Sequence, residues 1–167
     1  MTDEFKQSVL EAFSYNLRYG LTLFRSTPED LFFSFPNHKM NHAGWIAGHI
    51  TLSHRRISIE LGVDISLPND WIHLFGMGTQ PIADSRRYPQ RDELIQAFID
   101  GHSALELAFK NATPEKLNEP NTKYKPNCYS TIGAIAVHVM ITHESVHLGQ
   151  LCAWRKALGL SRIEGSA

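Results

Sequence analysis

HESVH, residues 143–147, sets two histidines four apart with a glutamate beside the first. Four residues on an α-helix turn about 40° beyond one full revolution, so His143 and His147 project side by side and two imidazoles can share one divalent ion. Two neutral rings hold an ion weakly, and a third ligand has to come from elsewhere. Glu144 lies about 100° from His143 and about 60° from His147 on the other side, which leaves two readings: a general base beside the ion or a solvated carboxylate on the flank of the helix. Gln150, seven after His143, shares the ligand stripe and can orient a ring or a substrate.

The same letters spell the H-E-x-x-H signature of zinc peptidases, in which the third ligand follows on the chain: a His six residues after the second His, or a Glu further on. Position 153 is Ala, the later acid is Glu164 close to the end, and no alternating stretch offers the sheet edge such peptidases use. A peptidase is therefore disfavoured, and the search moves to other histidines. By helical arithmetic His138 is about 140° from His143 and about 180° from His147, which sends it away to cap or pack elsewhere. His49 sits among Trp45, Ile46, Ala47 and Ile50. A buried imidazole needs a partner, a neighbouring carbonyl or a metal, and set opposite the His143–His147 pair His49 is the leading third ligand; His38, His42 and His54 are read as surface or outer residues, with His54, about 140° round the helix, as the reserve.

Three neutral imidazoles leave an ion its full charge and at least one open position, the arrangement of a catalytic site. Such an ion lowers the pKa of a thiol, whose thiolate attacks an electrophilic carbon, or of a water that attacks an ester or amide. Imidazole donors suit zinc, nickel, copper and iron alike. The competing reading is a protein that binds a metal or small ligand without turnover.

Four helical stretches must position these residues. Apolar residues recur three or four apart at Phe5, Val9, Ala12, Phe13, Leu17, Leu21 and Phe24, predicting helix one over about 4–24. Helix two is predicted from a cap at Asn41 to a stop at Gly62. Helix three is predicted over about 90–111, with Leu94, Ala97, Phe98, His102, Leu105 and Phe109 inward. Helix four runs from a cap at Ser130 or Thr131 to Leu158, with Gly159 able to take a left-handed turn. TPEDL at 27–31 and TPEKL at 113–117 predict a capped helical turn after helices one and three, and GWIAGHITLSH at 44–54 resembles GAIAVHVMITH at 133–143. These patterns predict one domain over 1–167, an all-α four-helix bundle. The long connection 64–89 carries Trp71, His73, Phe75 and Tyr88; it is either a pocket wall or lid, or a packed crossover.

Charge and composition narrow the classes further. Lys plus Arg number 16 against 17 Asp plus Glu, with basic residues in adjacent pairs at most, which gives no case for nucleic acid. No segment approaches the roughly 18 apolar residues of a membrane span. Two cysteines and the lack of a leader pattern predict a reducing cytoplasm; Cys152 is read as a small core residue and Cys128 as a bystander. Arg55, Arg56 and Arg155 are either solvated helix residues or cations for an acidic substrate.

GWIAGH at 44–49 followed by HESVHLGQL at 143–151 resembles the DinB/YfiT-like superfamily of metal-binding four-helix bundles, over essentially the whole chain. The resemblance implies that His49, His143 and His147 hold a divalent metal near one end of the bundle; zinc or nickel is expected first, with iron or manganese as further options. The resemblance also implies a thiol-dependent S-transferase or isomerase that uses a low-molecular-weight thiol, and a homodimer; a small-molecule substrate is expected, and a related metal-dependent hydrolase is what the site's chemistry offers beside it.

Overall fold

The computed structural model describes residues 2–36, 40–82 and 84–163. His38 and Glu164 lie outside the described residues. The chain folds as the expected all-α bundle, and among the described residues there is no strand, only an isolated bridge between Pro120 and Thr131. Helix α1 spans Asp3–Arg25, α2 Ala43–Glu60, α3 Trp71–Phe75, α4 Arg91–Asn111 and α5 Pro114–Asn118. The fourth long rod is continuous but not uniform: α6 (Ile132–Val137) passes into a π-helical segment, His138–His143, and then into α7 (Glu144–Ala157). Helix α2 packs on α4 and α7, and α1 packs on the same two.

The ends follow local chemistry. Thr2, Thr131 and Thr113 accept backbone N–H bonds at the starts of α1, α6 and α5. At α2 the cap is His42, whose Nδ1 accepts from the Trp45 amide at 3.0 Å, not Asn41. His42 is fully buried, against the surface placement expected for it, because capping from an imidazole brings the ring in among Phe33, Phe35 and Tyr88. Past α2 and α7 the chain turns through Gly62 (φ 92°) and Gly159 (φ 74°), a left-handed geometry that favours glycine. Thr27 departs from expectation: it leaves the turn after α1 uncapped and instead donates to the Leu23 carbonyl.

The inward stripe of α1 is Val9, Phe13, Asn16, Gly20, Leu23 and Phe24, rotated from the predicted one, so that Phe5 and Ala12 are exposed. Two apolar clusters fill the bundle. One gathers Trp45, Trp71, Phe75, Phe98 and Trp154; the other Phe13, Ile57, Phe109, Ile135 and Met140. The 64–89 connection is both things offered for it: Trp71, Phe75 and Tyr88 are buried against α2, and Met77 reaches a pocket. Among the described residues no helix is long and apolar enough to cross a membrane.

Candidate metal centre

Helices α2 and α7 and the end of the π segment bring His49, His143 and His147 together, with one ring nitrogen of each within 4.8 Å of the others. The Nε2 atoms of His49 and His143 are 3.1 Å apart. Nitrogens sharing a tetrahedral ion at about 2.0–2.1 Å stand roughly 3.3 Å from each other, so the spacing fits a shared ion. Proton positions fit as well. Nδ1 of His49 lies 2.7 Å from the Phe75 carbonyl, which can only accept; the proton is therefore on Nδ1 and Nε2 presents a lone pair. Nδ1 of His147 lies 2.9 Å from Oε1 of Gln150, which fixes that ring the same way. His143 has no hydrogen bond to Nδ1 among the described residues and is set by packing, its ring 4.5 Å from that of His147 and 5.1 Å from that of His49. Burial pushes all three rings toward the neutral form a metal needs: His49 falls below its ordinary value, His147 to about 4 and His143 to about 2, neighbouring rings adding to the last two shifts.

The Trp at the head of the W-x-x-x-H pattern also has a task. Trp45, one turn before His49, stacks on its ring at 4.5 Å and 11°, and its own Nε1 donates to Thr79 Oγ1. Gly48 makes room for the Phe75 side of the site. A Cβ there would stand 2.5 Å from the Phe75 ring, so only a residue without one lets α3 close on α2. Phe75 and Thr79 were missed as functional positions. The aromatic content of the 64–89 stretch was the available signal, but a backbone acceptor leaves no mark of residue type.

Three sequence expectations are corrected here. Glu144 is not a solvated carboxylate: it is fully buried, with Oε2 3.3 Å from Nε2 of His54 and no place in the pocket lining. Burial raises its carboxyl well above the ordinary value and lowers His54 to about 3, so the pair is neutral, sharing one proton. His54 is correspondingly an interior residue, not an outer one. His138, in turn, is not sent away from the site. Its ring centroid is 6.0 Å from that of His143 and it lines the same pocket, while Nδ1 meets Tyr129 Oη at 2.8 Å. The arithmetic that excluded it assumed a uniform α-helix. In a π turn hydrogen bonds close over five residues, so positions 138 and 143 come round to nearly the same side. Asn16 of α1 supports that turn, donating its side-chain amide to the buried Met140 carbonyl at 3.2 Å.

The three histidines form one wall of a cavity of about 330 Å³ between α2 and the α6–α7 rod. Of the arginines considered, Arg56 alone lines it. Arg155 is buried and donates to Leu23 O and Thr27 Oγ1, and Arg55 is engaged by Ile65 O and Asp64. Cys128 is exposed, and Cys152 is half-buried with Sγ 2.8 Å from Tyr19 Oη. Comparison with curated proteins finds no match, and comparison with solved structures finds none. The profile of the DinB superfamily matches residues 12–151, a span holding all three clustered histidines, and on that match the chain belongs to the DinB superfamily.

Proposed function

We propose that His49, His143 and His147 hold a divalent metal ion and that the protein is a metal-dependent enzyme acting on a small molecule, of the thiol-dependent S-transferase type or the related hydrolase. One observation carries this reading: three imidazoles with converging nitrogens face a cavity large enough for a small molecule instead of being sealed by a fourth side chain. When bound, the ion supplies a Lewis acid that lowers the pKa of a thiol or a water in the open position. The chain's own part is to keep the three rings neutral, to fix the lone pairs of His49 and His147 through the Phe75 carbonyl and Gln150, and to exclude bulk water with Ile57, Ile135 and Val139 along the cavity.

Elemental analysis of protein purified without added metal tests the first half; about one equivalent of zinc, nickel, iron or manganese is expected, and its loss in His49→Ala. Turnover of a panel of electrophiles with several low-molecular-weight thiols, and of esters with none, tests the second. Stoichiometric metal with no rate on either panel would reduce the protein to a metal-binding module.

A further inference from the structure

The cavity beside the histidines has two chemically different ends. Along α2 it is lined by His49, Ser53, Arg56 and Ile57, positions i, i+4, i+7 and i+8 on one face of the helix. Seven residues rise about 10 Å, so Arg56 stands roughly two turns from His49. On the facing rod Ile135 and Val139 lie opposite the middle. Lys123, which reaches Glu60 one turn beyond Arg56, marks the far end, and Lys125, two residues on in the same loop before α6, also lines the cavity.

The charges at that end are unbalanced. None of the residues lining the cavity is acidic. Lys123 is neutralised by Glu60 at 2.7 Å, but neither Arg56 nor Lys125 has a carboxylate partner among the described residues. The backbone of Lys125 is also constrained. Its φ is 49°, a left-handed conformation uncommon for a residue with a side chain, and its carbonyl accepts from the amides of both Cys128 and Tyr129. Two cations without a carboxylate partner among the described residues, an apolar stretch and a neutral imidazole cluster thus line a single cavity.

We propose that this cavity takes a small molecule with an anionic head and an apolar body, the head, a carboxylate or phosphate, received by Arg56 and Lys125 while the body lies along Ile57, Ile135 and Val139. The assignment rests on the proposed function only for what happens at the histidine end; the recognition of the head is carried by the cations. Apolar contacts give such a ligand its affinity, and the charge-assisted contacts give it orientation, directing its other end to the histidines.

Calorimetric titration with octanoate, octyl phosphate and uncharged octanamide tests this, on zinc-loaded protein and again after chelation. Either anion is expected to bind in both preparations, better than octanamide, and the Arg56→Gln/Lys125→Gln double variant to lose roughly tenfold or more of that affinity while octanamide is unaffected. The stronger of the two anions identifies the head. Arg56→Lys/Lys125→Arg, which keeps the charges, should keep binding and so separates charge from damage to the fold. Anion binding unchanged in the double variant, equal binding of octanamide, or no binding of either anion overturns the proposal. Anion binding that depends on the two cations in a protein that takes up no metal would sink the metal-enzyme reading and leave this one standing.

Discussion

Helix α2 and the fourth rod, where the π segment meets α7, carry two polar clusters built from neighbouring residues. His49 and His143 belong to one, open to the cavity; His54 and Glu144 belong to the other, sealed in the core beside His102. In the open cluster the outer nitrogens of His49 and His147 are tied to acceptors, and the inner ones converge. Pairing is incomplete in both, since His143 Nδ1 in the open cluster and His54 Nδ1, His102 Nδ1 and Glu144 Oε1 in the sealed one find no hydrogen-bond partner among the described residues; the clusters differ in access, not in satisfaction. The same residue types therefore serve two ends. Rings whose free nitrogens face one another across an accessible space suit a ligand, whereas a neutral His–Glu pair with no access serves to specify how the helices seat.

The sharpest way to break the comparison is to truncate adjacent residues on either side of it. His143→Ala is expected to lower metal affinity by on the order of a hundredfold or more while leaving the thermal transition of the metal-free protein little changed. Glu144→Ala should do the reverse, lowering stability by about 1–3 kcal/mol because His54 Nε2 loses its partner, with metal content retained. Metal loss from both variants alike, in folded protein, would erase the distinction between the clusters.

A smaller effect comes from Gly48→Ala, which touches no ligand. The added methyl collides with the Phe75 ring and displaces the carbonyl that holds His49, so stability should fall by about 1–3 kcal/mol and metal affinity by about tenfold. Isothermal titration of metal into the refolded variant reads the second quantity, and unchanged affinity would show that the carbonyl is not what orients His49.

Mildest is acidification of the metal-free protein. Burial lowers His42 to about 4 and His102 to about 3, below the unfolded value of 6.5. Each folded-state pKa is depressed, so the stability tied to keeping the ring neutral is complete above pH 6.5 and drains away toward pH 4 for His42 and pH 3 for His102. Over the first unit below 6.5 the loss is at most about 1.4 kcal/mol per ring. Chemical denaturation at pH 7.5 and 5.5 with chelator present measures it; for His102→Gln the slope should be shallower, and an unaltered slope would mean that this ring contributes nothing to the acid limb.

Much of the bundle was legible because apolar spacing and threonine caps are local signals. Thr131 and Thr113 cap where the letters say they should, and helix three, here α4, buries Leu94, Phe98, His102, Leu105 and Phe109 as its pattern requires. The meeting of His49 with His143 and His147 was legible for a similar reason, an i, i+4 pair facing a buried ring with nothing local to satisfy it. What escaped was non-local. No rule of composition marks Met140 as the carbonyl that Asn16 would reach, and the π turn it supports is what returns His138 to the cavity. Glu144 was misjudged because exposure follows from the helix's neighbours, and α1 and α2, which both pack on α7, close over that face.

The wide turn at 138–143 gives the fourth rod two angular phases, one upstream carrying Ile135 and one downstream carrying His147. Changes among the upstream wall residues need not swing the downstream rings, so the cavity can alter its lining while the spacing of the three histidines stays put.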